Sequence, residues 1–317
     1  MENQTQSKRL YFLAFNNNGE KQSLISIIFS FIYVIGVLGN LVIINIIYFD
    51  IHLHTPMYFF LCTLAFVDIC YPTVTLPKLI DILLSGNNSI TFIQCFTQMY
   101  FFLALAAVEV ILLSSMAYDR YLAICKPLRY HCFMHRRACV LVIIGTWISG
   151  FTNSELFISL VSKLSICHSN RIKLFFCDIK AVADISCDRT TFYNTIYVET
   201  FLLGLVTFSL NVISYINIIR TILNIKSKHG RQKAFSTCTS HFTVLIIFYG
   251  SAFWMYMRPP SESENLDPFF SVFYVGVTPM LNPLIYSLRN KELKKCPDKK
   301  CKEDFCIATV VCFNRKV

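Results

Sequence analysis

The stretch Met116-Ala117-Tyr118-Asp119-Arg120-Tyr121 places an acid and a base side by side at the end of a long apolar segment. Ionisable residues at such a position are costly in a membrane and are usually functional. Of the 317 residues in the chain, 55% are hydrophobic and 15% are charged, whereas a soluble domain carries roughly a quarter charged residues. The stretch therefore predicts a membrane protein with a functional group at one end of a span.

Seven apolar segments are long enough to cross a bilayer, which needs roughly 20 apolar residues. The sequence lacks the short alternating segments that a β-barrel requires. Residues 1–22 are mostly polar, so we expect no signal peptide. The predicted fold class is an all-α membrane protein, a seven-transmembrane helix bundle. The predicted spans are 23–48, 57–84, 92–118, 139–161, 192–222, 233–257 and 268–288.

Lysine and arginine are concentrated on one side of these spans, in the loops 119–138 and 223–233 and in the tail 291–317. Cytoplasmic loops carry such an excess, so we expect a cytoplasmic tail and an extracellular N-terminus in the plasma membrane. This topology explains the net charge of +10 without any binding to nucleic acid. Glycosylation sequons at Asn3 and Asn87 fall on the predicted outer side and support the orientation.

The 14 cysteines sort by side of the membrane. An oxidising exterior permits two disulfides among the four outer cysteines, and the sequence alone leaves three pairings open. A bridge to Cys95 would hold the long outer loop over the mouth of the bundle. The cysteines of the basic tail are either palmitoylation sites or incidental thiols in a disordered segment. The outer set is Cys95, Cys167, Cys177 and Cys187, and the tail set is Cys296, Cys301, Cys306 and Cys312.

Five stretches, in order along the chain, carry a resemblance to a known family. They are Leu53–Leu61 (LHTPMYFFL), Met116–Cys125 (MAYDRYLAIC), Ser214-Tyr215, Lys233–His241 (KAFSTCTSH) and Pro279–Asn290 (PMLNPLIYSLRN). Together they resemble the signatures of the olfactory (odorant) receptor family of rhodopsin-like, class A G-protein-coupled receptors. The resemblance implies a receptor domain over 23–290 followed by a short amphipathic eighth helix. It also implies the disulfides Cys95–Cys177 and Cys167–Cys187.

The resemblance further implies how the inner end of the bundle works. Arg120 would be held in the resting state and released toward a heterotrimeric G protein of the stimulatory, olfactory type, which raises cyclic AMP. Pro283 removes one backbone hydrogen bond from the seventh helix and permits a kink there, which would let Tyr215 and Tyr286 approach Arg120. The residues implied in coupling are Asp119, Arg120, Tyr121, Tyr215, Asn282, Pro283 and Tyr286.

Two carboxyl groups lie in the middle of predicted spans, Asp68 in the second and Glu109 in the third. Carboxylates in hydrocarbon need a cation or protons. One interpretation is an allosteric sodium ion held by both groups and completed by Ser115 and Asn282, which the resemblance supports. The other is that one carboxyl stays protonated and forms a hydrogen bond with a neighbour.

The resemblance places ligand in the outer half of the bundle, where helical spacing selects residues of one face. They are Phe102, Leu103, Ala106, Ala107, Val110, Glu199, Leu203, Tyr249, Ala252 and Tyr256. This mostly apolar lining suits a small, partly hydrophobic odorant. Phe102 stands where amine receptors of this class carry an aspartate, which excludes a salt bridge to a biogenic amine there. Glu199 is either a counter-ion for a polar odorant or a residue of the water-facing lip.

Other functions of a seven-span protein need features that this sequence lacks. A retinal photoreceptor needs a lysine in the seventh span, and 268–288 contains none. A transporter would show internal repeats. An intramembrane hydrolase would need a catalytic pair at matched depth. Asp68 and Glu109 are the only candidates, and the receptor motifs explain them better, so we predict no enzymatic activity. Two alternatives remain, a non-olfactory chemosensory receptor of the same fold and a seven-helix protein that does not signal.

Overall fold

The structure, a computed structural model, describes residues 9–13, 19–162, 170–188, 190, 194, 196–198, 200–256 and 267–289. Its frame consists of seven long helices. They are α1 (Gly19–Phe49), α2 (Pro56–Ser85), α3 (Phe92–Cys125), α4 (Arg136–Val161), α5 (Val206–Leu223, preceded by the π-helical turn Thr200–Leu205), α6 (Lys228–Tyr256) and α7 (Asp267–Val272, the π-helical turn Phe273–Val277 and Thr278–Arg289).

Six of these helices are long and apolar enough to cross a membrane, and α7 completes the bundle by packing against α1 and α6. The predicted fold class, a seven-helix membrane bundle, is confirmed. The end of the bundle that carries the Cys95–Cys177 disulfide is called the outer end below, and the end that carries Arg120 is called the inner end. The predicted eighth helix, Asn3 and the tail cysteines lie outside the described residues.

Local sequence fixes where the central helices begin and end. Thr91 caps α3 by accepting a hydrogen bond from the Gln94 backbone nitrogen at 3.3 Å, and the Gln94 side chain accepts one from the Thr91 backbone at 3.1 Å. This reciprocal pair satisfies two of the backbone N–H groups that every helix start leaves open. Gly86 ends α2 at a φ of 70°, a conformation that glycine adopts without steric cost.

The helix α3 lies at the centre of the bundle, in contact with α2, α4, α5 and α6. Its side chains are buried on several faces, and Met99, Val108, Leu112 and Met116 are fully enclosed. The apolar run predicted a span that ends at residue 118, but the helix continues to Cys125. The additional turns form because Leu122 is buried, and packing extends the helix past its polar residues.

Gly150 lets α4 approach α3 closely. A Cβ atom at this position would lie 2.6 Å from Val108 Cγ2 and 2.8 Å from the Ala104 carbonyl oxygen. We expect Gly150→Ala to destabilise the receptor by about 1–3 kcal/mol, since overpacking pushes the two backbones apart. The thermal midpoint of the purified protein in lipid nanodiscs measures this effect.

Gly145 on the same helix provides the matched control, because a Cβ atom there meets nothing within 4 Å. Alanine is the better helix former by about 1 kcal/mol, so Gly145→Ala should leave the thermal midpoint unchanged or raise it. Equal midpoints for the two variants would show that α3 and α4 are not in close contact at Gly150.

A small sheet covers part of the outer end. Its strands are β1 (Arg9–Phe12), β2 (Ser89–Thr91) and β3 (Arg171–Ile172), in the order β2-β1-β3. The strand β1 runs antiparallel to β2 and parallel to β3. Leu10 and Phe12 are buried, whereas Arg9 and Tyr11 point outward. The sequence analysis did not predict these strands, because two to four residues are too few to show an alternating pattern.

Candidate functional site

A cavity of about 620 Å³ lies in the outer half of the bundle, between α3, α5, α6 and α7. Its lining is apolar apart from the hydroxyl groups of three tyrosines, Tyr249, Tyr256 and Tyr274. The lining residues are Leu103, Ala106, Ala107, Val110, Ile179, Ile196, Phe201, Leu203, Gly204, Leu205, Phe208, Phe248, Tyr249, Gly250, Ala252, Phe253, Tyr256 and Tyr274. This volume and polarity match those of sites for small, mostly apolar molecules.

The structure brings together around this cavity every residue of the predicted ligand set except two. Glu199 lies outside the described residues. Phe102 does not line the cavity. Its ring is fully buried and packs 4.8 Å from the ring of Tyr71 and 4.9 Å from that of Phe176, between α2 and the outer loop. Phe102 therefore packs on the side of the cavity wall that faces away from the cavity, and supports the wall there.

A segment of the outer loop covers the cavity. The Cys95–Cys177 disulfide ties this segment to α3, and Gln98 accepts a hydrogen bond from the Cys177 backbone nitrogen at 2.9 Å. The short helix Ile179–Ile185 follows, and Ile179 contacts the cavity. Cys187 is also disulfide-bonded, whereas Cys167 lies outside the described residues. We call the segment Cys177–Ile185 the roof.

Two contacts join the roof to the outer end of α6. The Tyr256 hydroxyl donates a hydrogen bond to Asp178 Oδ2 at 2.9 Å, and the Lys180 ammonium donates one to the Met255 carbonyl at 3.3 Å. Burial raises the pKa of Asp178, and the hydrogen bond from Tyr256 opposes that shift. Sequence analysis missed this pair because Asp178 and Tyr256 are 78 positions apart.

Polar side chains form the floor of the cavity. The Asn211 amide donates hydrogen bonds to Ser114 Oγ at 3.1 Å and to the Tyr249 hydroxyl at 3.0 Å. Tyr249 in turn donates to Thr207 Oγ1 at 3.1 Å. These contacts join α3, α5 and α6 directly below the cavity. A displacement of Tyr249 therefore alters hydrogen bonds that connect all three helices.

The predicted carboxyl cluster lies beside the inner part of the cavity, where α2, α3 and α7 meet. The Asn282 amide donates to both carboxylate oxygens of Asp68, at 3.1 and 2.9 Å. Glu109 is buried, and its Oε1 atom has no hydrogen-bond partner among the described residues. Ser115, in contrast, donates to the Ile111 carbonyl at 2.9 Å. A buried carboxylate oxygen without a donor is costly, and it is the type of ligand that a hard cation binds.

The inner end of α3 carries the Asp119-Arg120 pair. Asp119 is buried and accepts a hydrogen bond from the Tyr130 hydroxyl at 2.8 Å. Burial and the nearby Asp119 carboxylate raise the pKa of Tyr130. The Nε atom of Arg120 is buried without a hydrogen-bond partner, and within the described ranges Asp119 and Arg120 form no ion pair. Asp119 therefore fixes the loop after α3, while the Arg120 Nε atom keeps no hydrogen-bond partner among the described residues.

Tyr215 lies at the same level on α5. Its hydroxyl is 2.8 Å from His241 Nδ1 and 3.3 Å from the Cys238 carbonyl oxygen, and both partners lie on α6. The rings of Tyr215 and His241 are stacked with centroids 6.0 Å apart. His241 belongs to the stretch Lys233–His241, and no local pattern in the sequence predicts its contact with Tyr215. Pro283 is buried within α7, and the Tyr286 side chain lies outside the part of the chain that the structure describes.

The bundle has seven long helices, and the third lies at its centre with Asp119-Arg120-Tyr121 at its inner end. This arrangement places the multi-pass membrane protein in the class of G-protein-coupled receptors. Residues 29–303 match the family described as olfactory receptor. Olfactory receptor 5B21 of Mus musculus is 45% identical over 93% of both chains. Human olfactory receptor 8H1 is 46% identical over 88% of this chain and 90% of its own, and human olfactory receptor 13F1 is 44% identical over 92% of both. The chain belongs to the olfactory receptor family, whose members are receptors and not enzymes.

Proposed function

We propose that the chain binds a small, mostly apolar odorant in the outer cavity and activates a stimulatory, olfactory-type heterotrimeric G protein, which raises cyclic AMP. The observation that carries the proposal is the apolar cavity of about 620 Å³ under the roof. The Cys95–Cys177 disulfide at the outer end supports an extracellular N-terminus and a plasma-membrane location, because disulfides persist in oxidising surroundings.

The polar atoms of the lining favour one kind of odorant. Tyr249 donates its proton to Thr207, and Tyr256 donates its proton to Asp178. Both phenols thus use their protons within the protein, so a ligand group that donates a hydrogen bond fits beside them better than one that only accepts. We propose a ligand with an apolar body and a donor such as a hydroxyl group.

Two levels along α3 support a route from ligand to G protein. The cavity contacts Val110, the carboxyl cluster includes Glu109, and Arg120 follows about 15 Å further inward at 1.5 Å per residue. A ligand that displaces Tyr249 changes the hydrogen bonds that join α3, α5 and α6. The Tyr215–His241 contact then separates and frees the inner end for the G protein.

The inner end also offers an apolar contact for a partner. Leu128 lies in the turn Pro127–Arg129 after α3, and 97% of its surface is exposed. Lys126 and Arg129 flank it. An exposed leucine between basic residues suits the mixed apolar and acidic surface of a protein partner, which supports G-protein docking at this loop.

We further propose that Asp68 and Glu109 hold a sodium ion, since Glu109 Oε1 lacks a donor among the described residues. An ion bound at ten times its Kd stabilises the folded receptor by about 1.4 kcal/mol. We expect the wild-type thermal midpoint to be a few degrees higher in sodium chloride than in choline chloride at the same ionic strength. In Glu109→Gln that difference should disappear.

Glu155→Gln is the matched control, because Glu155 is exposed on α4 and the substitution removes the same charge. This variant should keep the full sodium effect. A wild-type midpoint that does not respond to sodium would favour the other interpretation of the cluster, in which one carboxyl is protonated.

A cyclic-AMP reporter assay in cells, run across a panel of odorants with and without hydroxyl groups, tests the proposed function. We expect saturable responses to a subset of small apolar alcohols and weaker responses to the matching esters. Silence across the panel at normal surface expression would support a seven-helix protein that does not signal.

A further inference from the structure

Some residues that line the ligand cavity are also strongly exposed on the outside of the bundle. Phe201 is 62% exposed and Phe253 is 68% exposed, and Leu205 and Phe208 are each 45% exposed. A side chain that faces both a cavity and the exterior forms a wall one side chain thick between the two. Gly250 is exposed as well and completes the set. We call these five residues the window, and they lie on the π-helical turn, α5 and α6.

The window lies at the depth of the bilayer core. The Tyr215–His241 contact marks the inner level of both helices. At 1.5 Å per residue, Phe208 and Phe201 lie about 10 and 21 Å outward from Tyr215. Counted from His241, Gly250 and Phe253 lie about 13 and 18 Å outward. The hydrocarbon core is about 30 Å thick, so the exterior at the window is lipid and not water.

On the outer side, in contrast, the roof covers the cavity. Ile179 is only 3% exposed, and the roof is joined to α3 by the Cys95–Cys177 disulfide. It is joined to α6 through Tyr256 and Lys180. Access through the roof would require these contacts to break and the buried Asp178 to be exposed, whereas access through the window requires only apolar side chains to rotate.

Two backbone features leave the wall at the window thin. Gly250 has no side chain, and a Cβ atom placed there meets nothing within 4 Å. The helix on the other side begins with the π-helical turn Thr200–Leu205, which includes Gly204. Such turns interrupt regular helix packing and often mark functional sites. The window therefore lies between an irregular turn and a residue without a side chain.

We propose that odorants enter and leave the cavity sideways from the bilayer through the window, and this inference rests on the proposed ligand cavity. An apolar odorant concentrates in the membrane, since each CH₂ group favours hydrocarbon over water by roughly fourfold. The window receives the molecule from that concentrated phase without exposing the cavity to water. Passage involves no covalent step, and it selects for molecules that dissolve in lipid.

Stopped-flow fluorescence of the receptor in lipid nanodiscs tests the proposal, with 1-aminoanthracene as the apolar probe and receptor-free nanodiscs as the background. In Gly250→Trp we expect the association and dissociation rate constants both to fall by about tenfold. Because Gly250 also lines the cavity, a substitution that only weakened binding would raise the dissociation rate constant, whereas a higher barrier lowers both rate constants. Gly250→Leu, a smaller plug and a better helix former than glycine, should act in the same direction.

Three further variants exclude indirect effects. Gly145→Trp adds the same bulk to an open position on α4, away from the cavity, and should leave both rates at wild-type values. Phe253→Ala widens the window and should raise both rates, which misfolding cannot do. Lys180→Met removes one roof contact and should change neither rate.

Unchanged rates in both Gly250 variants, or faster association in Lys180→Met, would overturn access through the window and indicate passage through the roof. A failure of the proposed ligand cavity gives a different result. In that case the wild-type receptor shows no saturable fluorescence change above the receptor-free background, and the window is refuted along with the cavity.

Discussion

Arg120→Ala should reduce the odorant-induced rise in cyclic AMP to the level of cells without receptor, while odorant binding stays within a few-fold of wild type. Arg120 lies about 15 Å inward from Val110, the innermost α3 residue of the cavity lining, so its removal does not alter the ligand contacts. Its Nε atom is buried without a partner among the described residues. A protein retains such an unsatisfied buried nitrogen at a functional site, where an incoming partner can accept its hydrogen bond.

Surface expression and thermal stability must be measured beside the response, because a misfolded receptor is also silent. Alanine removes an unsatisfied buried nitrogen, so the thermal midpoint of Arg120→Ala should be equal to or above that of wild type. Arg220→Ala is the matched control, since Arg220 is exposed in the last turn of α5 at the same end of the bundle. It should keep most of the response. A fully responsive Arg120→Ala receptor would refute the assigned role.

The amino-acid sequence predicts the helices of this receptor well, because each span is a local property. Hydropathy places α2 at 57–84, and the structure has Pro56–Ser85. Helical spacing from Arg120 also finds one side of the cavity, since Leu103, Ala106 and Ala107 follow the 3–4 repeat and face it. Phe102 is assigned to the same face but lies behind the wall, because neighbouring residues on a helix point about 100° apart.

Contacts between distant segments account for what the sequence does not predict. The β1 strand pairs with residues some 80 and 160 positions away, so no local pattern shows it. The Asp178–Tyr256 contact likewise joins residues that are far apart in the sequence. The π-helical turn before α5 exposes Phe201 to lipid and to the cavity at once, and apolar composition alone cannot separate those two surroundings.

Asn282→Ala should lower the free energy of unfolding by about 3 kcal/mol, because it removes both hydrogen bonds from a buried carboxylate. Asp68 is 1% exposed, and within the described residues the Asn282 amide is its hydrogen-bond donor. Glu109 adds a second carboxyl group in the same layer. Without Asn282, the layer holds two acids and loses the amide that compensates Asp68. Thermal or denaturant unfolding in nanodiscs measures the loss, and signalling should fall with it.

A double-mutant cycle separates the loss of the pair from the loss of the asparagine itself. Asp68→Ala combined with Asn282→Ala removes the unsatisfied acid as well as its donor, so the double variant should be more stable than Asn282→Ala alone. Asn45→Ala, at an exposed position where the amide donates to the Leu41 carbonyl at 2.8 Å, should cost less than about 0.5 kcal/mol. Should Asn282→Ala prove as mild as Asn45→Ala, then protons or a bound cation, and not the amide, compensate Asp68. The sodium dependence of the midpoint in Asn282→Ala distinguishes these two, because only a bound cation makes the penalty larger in choline chloride than in sodium chloride.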